Sequence, residues 1–109
     1  MREVSLDAFA AAHADGAVVI DVREPYEYAA GHVPGARLLP LAQLGLYANE
    51  LPRNERVYVI CATGNRSLAA AGFLARQGID AISVAEGTSG WQATGRPVQR
   101  GRRSNAAVR

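Results

Sequence analysis

The sequence predicts an α/β domain with a mainly parallel sheet and helices on both of its faces. Three largely apolar runs of strand length, at residues 17–21, 56–60 and 81–85, lack strict alternation, which is typical of strands buried on both sides. Segments with helical spacing separate these runs. Alternating strands and helices favour parallel pairing through right-handed crossovers, so we expect ligands beyond the carboxyl ends of the strands.

Capping and breaking residues define the elements around these strands. Ser5 is suited to cap a first helix that ends at Gly16. The other predicted elements are a short helix at 25–31, an extended piece at 37–39, a helical segment at 41–51 interrupted by Gly45, a helix at 67–77 and a last short helix at 87–94.

The size and charge of the chain indicate one domain followed by a basic tail. The 109 residues are 49% hydrophobic, enough to form one core. We predict a domain at residues 1–98 and a flexible arginine-rich tail at residues 99–109. Residues 1–95 hold seven basic and ten acidic side chains, a formal charge of −3, and five arginines with no acid follow. The tail has no aromatic residue and no periodicity, so we do not expect nucleic-acid binding.

The chain contains one cysteine, Cys61. It cannot form an internal disulfide, and the two distant histidines His13 and His32 make it a poor metal site, so no metal or other cofactor is expected. No apolar stretch approaches the roughly 20 residues of a membrane-spanning helix, and the first residues do not resemble a secretory signal. We expect a cytoplasmic protein, monomeric or weakly dimeric, with no membrane partner.

The segment after the second strand is the candidate site. The strand ends at Ile60, Cys61 follows, and a helix begins after a short loop. A loop curled around the sulfur would turn backbone N–H groups inward, and the positive end of the helix would point to the same place. Both effects favour the thiolate, which is the nucleophile, so no general base is needed. In the alternative reading, Cys61 is only a small buried hydrophobic residue.

The other residues of this loop fit an anion site, although each also has a structural interpretation. Gly64 supplies a left-handed backbone conformation that a tight loop needs. Arg66 could bind an anionic donor such as thiosulfate, or could hold the loop through an ion pair. Ser67 can cap the helix and lend a hydroxyl to the pocket, and the small Ala62 and Thr63 leave its mouth open.

From about Val4 to Val98 the sequence resembles the rhodanese family. Residues 61–67 match the family's active-site pattern Cys-x-x-Gly-x-Arg-Ser at every defined position. Residues 21–36 resemble its amino-terminal signature, and residues 86–91 resemble its carboxy-terminal one, in which Thr88 stands where a second glycine is more frequent. Three separated matches in the same order are more specific than any one of them.

This resemblance implies a doubly wound, five-stranded, mainly parallel sheet and a two-step sulfur transfer. Cys61 would take a sulfane sulfur from a donor such as thiosulfate and hold it as a persulfide. Cyanide, a thiol or an acceptor protein would then receive it. The resemblance also implies that backbone amides hold the terminal sulfur, those of Ala62, Thr63, Gly64, Asn65, Arg66 and Ser67.

The remaining signature residues are expected to be structural. Asp21 would anchor neighbouring loops, Arg23 and Glu24 would form an ion pair at the sheet edge, and His32 would donate a structural hydrogen bond. Trp91 is expected in the core, where it could also form a wall of the pocket.

Two other functions remain open at this point. Cysteine phosphatases and arsenate reductases use a cysteine in an arginine-containing loop, but phosphatases place the arginine one position further along than Arg66 stands here. The longer loop suits a tetrahedral oxyanion, whereas the shorter loop suits a single sulfur. A non-catalytic or redox-sensing module is the second alternative, and sensing would require a thiol from a partner, because the chain has no second cysteine.

Overall fold

Five parallel strands form the sheet in the computed structural model, which describes residues 2–102. The strands are β1 (Glu3–Val4), β2 (Val18–Asp21), β3 (Arg37–Leu38), β4 (Val57–Ile60) and β5 (Ala81–Val84). Their order across the sheet is β1-β5-β4-β2-β3. The chain therefore winds outward from β2 in both directions, which confirms the predicted doubly wound α/β fold. Every pair is parallel, so the sheet is more uniform than the predicted mainly parallel one.

Helices cover both faces of this sheet. They are α1 (Leu6–Ala14), α2 (Pro25–Ala30), α3 (Leu44–Tyr47), α4 (Asn65–Arg76) and α5 (Gly87–Ala93). One core cluster joins side chains of α1, α2 and α5 to the sheet, including Phe9, Tyr28 and Trp91. The other joins α3 and α4 to the opposite face, including Leu44 and Leu74. Two covered faces explain why the central strands are apolar on both sides.

One strand was not predicted by the pattern of the sequence, and two helical segments differ from the prediction. Strand β1 has only two residues, too few to show a periodic pattern, and it is held at the sheet edge by pairing with β5. The predicted interruption at Gly45 is instead a short α-helix, α3, between two 3₁₀ turns at Leu41–Gln43 and Ala48–Glu50. Helix α4 begins at Asn65, two residues before the predicted start, because Gly64 rather than Ser67 is its N-cap.

The predicted ion pair between Arg23 and Glu24 is wrong. Arg23 instead holds Asp21, with Nε 3.0 Å from Oδ1 and Nη2 2.8 Å from Oδ2, and Nη2 also donates to the Gly31 carbonyl at 2.8 Å. Asp21 and Arg23 are both buried. Glu24 is the N-cap of α2 and forms a capping box with Glu27. Asp21 thus anchors Arg23, and through it the end of α2.

The start of the predicted tail is hydrogen-bonded to the domain. Gln99 pairs with His32 in an antiparallel bridge, with N–H···O distances of 2.8 and 2.9 Å, and the Gly101 N–H donates to the Ala29 carbonyl. The rest of that tail, residues 103–109, lies outside the described residues. Within residues 2–102, no helix has the length and apolar character to cross a bilayer.

Replacing Asp21 tests the buried network. Asp21→Ala leaves the Arg23 guanidinium buried without its carboxylate, and we expect a loss of about 3–5 kcal/mol in the free energy of unfolding. Glu24→Ala, which removes only a capping interaction, is expected to cost about 1 kcal/mol. Urea denaturation of both variants measures the difference. Equal losses would contradict the assignment of Asp21 as the partner of Arg23.

Candidate active site

Cys61 lies at the carboxyl end of the sheet, directly after β4. Strand β4 is the central strand, with β2 on one side and β5 on the other. The residues after it turn sharply into α4, so the sulfur lies beneath the loop, and Cys61 is only 1% exposed. The fold therefore places the single thiol where ligands bind in sheets of this topology.

Hydrogen-bonding groups contact the sulfur from the side of α4. The Gly64 N–H donates to Cys61 Sγ at 3.1 Å, and the Cys61 thiol in turn donates to Ser67 Oγ at 3.4 Å. Gly64 has a φ of +110°, in the left-handed region, which lets the loop close within three residues of Cys61. The first turn of a twelve-residue helix follows at once, and its dipole favours negative charge at this position.

The start of α5 fixes the outer side of the loop. The Thr88 N–H donates to the Cys61 carbonyl at 2.8 Å, and the Ser89 N–H donates to the Ala62 carbonyl at 2.9 Å. In a trans peptide the C=O and the following N–H point in opposite directions. Binding these two carbonyls on the outside therefore turns the N–H groups of Ala62 and Thr63 toward the interior of the loop.

Gly87 makes this close approach possible. Its φ is +55°, and a Cβ at this position would lie 2.5 Å from the Cys61 carbonyl oxygen and 2.6 Å from that of Ala62. Both neighbours are backbone atoms of the active-site loop, so they could not move without moving the loop. The carboxy-terminal signature recognised in the sequence is thus a part of the site. The sequence did not show that the backbone N–H groups of Thr88 and Ser89 bind the carbonyls of the loop.

A buried pair of hydroxyls lies beneath the sulfur. Ser67 Oγ and Ser83 Oγ are 2.7 Å apart, and both residues are fully buried. The Ser67 hydroxyl donates to the Gly64 carbonyl at 3.1 Å, and it would have to turn its proton to the sulfur to stabilise a thiolate at Cys61, with Ser83 then donating to Ser67 Oγ. The prediction that Ser67 lends its hydroxyl to the pocket agrees with this contact, whereas the prediction that it caps α4 is wrong. Ser83 was missed, although a serine within an apolar strand is itself a signal of a buried partner.

The pKa of Cys61 is lowered from its ordinary value by these contacts. Burial alone raises the pKa of the thiol, and the hydrogen bond from the Ser67 side chain lowers it, as do the backbone N–H groups of Ser67, Gly64 and Thr63. The hydrogen bonds outweigh the burial. A site that favours the thiolate without an adjacent general base can act as a nucleophile and can hold an anionic sulfur.

Arg66 forms a bidentate ion pair with Glu27 of α2. Nη1 and Nη2 lie 2.8 Å from Oε1 and Oε2, respectively. Of the two interpretations of Arg66, the structure shows the ion pair, which joins the active-site loop to α2. Glu27 Oε1 also accepts the backbone N–H of Glu24, so one carboxylate connects the helix cap to the loop.

The same ion pair changes the titration of both partners. The Arg66 guanidinium lowers the pKa of Glu27 from 4.5 to about 2, against the opposing effect of burial. Glu27 in turn raises the pKa of Arg66. Both groups are therefore charged near neutral pH, and together they carry no net charge.

The other predicted site residues occupy the surface of the loop. Thr63 and Asn65 are exposed and Ala62 is half-buried.

His32 and Trp91 lie in the interior, away from the loop. His32 Nδ1 contacts the Tyr28 carbonyl at 2.9 Å while its ring stacks on Tyr28. Trp91 donates to the Pro97 carbonyl at 2.7 Å and packs against Phe9.

Comparison with known proteins assigns the family. The model of the rhodanese-like domain matches residues 5–94, and the chain belongs to this family. A solved structure of a rhodanese-related protein from Thermoplasma volcanium is 32% identical, with 91% of this chain and 98% of that chain covered and a TM-score of 0.85. A rhodanese-like domain protein from Staphylococcus aureus is 29% identical, with 93% and 99% covered and a TM-score of 0.81.

A curated relative is longer than this chain. The protein of Bacillus subtilis (strain 168) named "Putative sulfur carrier protein YrkF" is 39% identical over 92 residues. The match covers 82% of this chain and 50% of that protein, so the chain spans about half the length of this relative.

The role of Ser67 can be measured by titrating the thiol. Ser67→Ala removes the hydroxyl near the sulfur, and we expect the pKa of Cys61 to rise, since burial is then opposed by the backbone N–H groups alone. The ultraviolet absorbance of the thiolate as a function of pH reports this shift. Ser89→Ala, which changes an exposed hydroxyl in α5, is the matched control. An unchanged thiol pKa in Ser67→Ala would show that the backbone alone sets it.

The ion pair between Arg66 and Glu27 predicts a pH-dependent stability. Because the pKa of Glu27 is depressed to about 2, the pair contributes fully above the unfolded value of 4.5, and its contribution is lost as the pH falls toward 2. We expect Arg66→Ala to cost about 1 kcal/mol at neutral pH, since the Arg66 side chain is 37% exposed and water screens the pair.

The measurement is the free energy of unfolding of both proteins between neutral pH and about pH 2. The difference between the wild type and Arg66→Ala should shrink below pH 4.5. Arg76→Ala, in the last turn of the same helix, serves as the control. A difference that stays constant with pH would rule out a stabilising role of the Glu27 charge.

Proposed function

We propose that the chain is a sulfurtransferase in which Cys61 carries a sulfane sulfur as a persulfide. The observation that carries this proposal is the set of hydrogen bonds at the sulfur, from the Ser67 hydroxyl and a ring of inward N–H groups, which lowers the pKa of Cys61. Such a ring stabilises a negative sulfur on the cysteine, both before and after it accepts a second sulfur. Membership in the rhodanese-like domain family supports the same activity.

The reaction has two balanced steps. The Cys61 thiolate attacks the outer sulfur of a donor such as thiosulfate, a Cys–S–S⁻ persulfide forms, the S–S bond of thiosulfate breaks, and sulfite leaves with the electron pair of that bond. In the second step cyanide or a thiolate attacks the terminal sulfur, and Cys61 leaves as the thiolate. Neither step needs a cofactor or a change in the total number of electrons.

The backbone amides of the loop are the proposed sulfur-binding groups. The N–H groups of Thr63, Gly64 and Ser67 act on the Cys61 sulfur in the resting site, and we propose that the amides of residues 62–67 hold the terminal sulfur of the persulfide. Because Cys61 is 1% exposed, the loop must open to admit the donor.

Under this proposal, the thiol of another protein is among the acceptors of the sulfur. The name of the Bacillus subtilis relative contains the words sulfur carrier, and a carrier receives sulfur in order to pass it on. The predicted cytoplasmic location stays a prediction.

Replacing the nucleophile tests the proposed function. Cys61→Ser keeps the size and shape of the side chain but removes the sulfur, so we expect thiocyanate formation from thiosulfate and cyanide to fall to background with the far-ultraviolet circular dichroism unchanged. The wild type incubated with a sulfur donor should gain one sulfur atom by intact-mass measurement, and a thiol reductant should remove it. Full turnover by Cys61→Ser, or a wild-type thiol that iodoacetamide cannot alkylate, would refute the proposal.

A further inference from the structure

Both arginines next to the active-site loop are already neutralised by carboxylates. Arg66 is held by Glu27 through two N–H···O contacts of 2.8 Å. Arg23, which follows β2 at the same edge of the sheet, is held by the buried Asp21. Each pair has no net charge, so neither of these two arginines offers the second negative charge of a donor an unneutralised cation.

Two exposed acidic residues have their backbones close to these groups. The backbone N–H of Glu24 is bound by the carboxylate that holds Arg66. The backbone nitrogen of Glu86, at the start of α5, would lie 3.5 Å from a Cβ placed on Gly64. Neither residue supplies a cation for a dianionic donor.

We infer that Glu27 makes the site select sulfur donors by their charge. Because Glu27 occupies Arg66, dianionic donors such as thiosulfate are disfavoured, and organic persulfides whose reacting end is neutral are favoured. This inference rests on the proposed function and specifies its substrate class. A carboxylate that holds both Nη groups of Arg66 in a bidentate pair competes with an anionic donor for the same guanidinium. Glu27 thus acts as a specificity-determining residue without contacting the reacting sulfur.

The favoured half-reaction is balanced. The Cys61 thiolate attacks the outer sulfur of R–S–SH, the new bond gives Cys61–S–SH, and the broken S–S bond releases R–S⁻. The neutral donor brings no charge into the site, and the negative charge of the thiolate leaves with R–S⁻. With thiosulfate the site must instead hold the thiolate and a dianion together, beside a carboxylate that cancels the nearest cation.

Glu27→Gln is the direct test. The glutamine side chain keeps a carbonyl oxygen for the Glu24 N–H but no longer neutralises Arg66. The measurement is the second-order rate constant for persulfide formation on Cys61, by quenched intact mass, with thiosulfate and with the uncharged 2-hydroxyethyl hydropersulfide. We expect the ratio of the thiosulfate to the persulfide rate constant to rise about five- to tenfold, the effect of removing one charge several ångströms from a dianion in water.

The ratio separates specificity from damage, because a loss of loop geometry lowers both rate constants together. Glu55→Gln removes the same charge at the opposite edge of the sheet and should leave the ratio within about twofold of the wild type. A ratio that is unchanged or lower in Glu27→Gln overturns the inference. If neither donor adds sulfur to wild-type Cys61, the proposed function fails as well, so the two failures are distinguishable.

A second measurement needs no variant. In the wild type, raising the salt concentration should leave the thiosulfate rate constant unchanged or increase it, because salt screens a repulsion. If that rate constant falls steeply with salt, a free cation attracts the anion, and the inference is wrong even if Glu27→Gln does not fold.

Discussion

The hydrogen bonds between the start of α5 and the carbonyls of Cys61 and Ala62 hold the site in its working shape. These carbonyls point outward because the N–H groups of Thr88 and Ser89 bind them there. The opposite ends of the same peptide units therefore point inward, toward the sulfur. The chemistry proposed for Cys61 depends on donors that face the sulfur, since the Ser67 hydroxyl and the backbone N–H groups of Ser67, Gly64 and Thr63 together lower the pKa of the thiol against the effect of burial.

The electrostatics of the site follow from the same arrangement. Peptide dipoles and one hydroxyl stabilise the thiolate, while the charged side chains nearby are combined in ion pairs. Arg66 and Glu27 bring α2 against the loop, and Arg23 and Asp21 hold the end of α2 to the sheet. The charged side chains in this region hold the elements together, whereas the partial charges of the backbone N–H groups stabilise the sulfur.

The sequence predicted the architecture and the loop, but not the pairing of side chains across elements. Apolar runs and capping residues identified three central strands and most helices, since their signals are local. Strand β1 has two residues and no pattern of its own, and the start of α4 depended on a left-handed Gly64 that no helix propensity reveals. The partner of Arg66 lies 39 positions away in the chain, and only the folded sheet brings Glu27 to it.

The contact at Gly87 makes the loop inseparable from the segment after β5. No side chain fits between that residue and the carbonyls of the loop, because a Cβ would stand 2.5 Å from one of them. A protein engineer who transplants residues 61–67 onto another parallel sheet would therefore transfer only half of the site. The graft needs the neighbouring strand's exit turn as well, with its glycine, or the peptide groups will face solvent instead of sulfur.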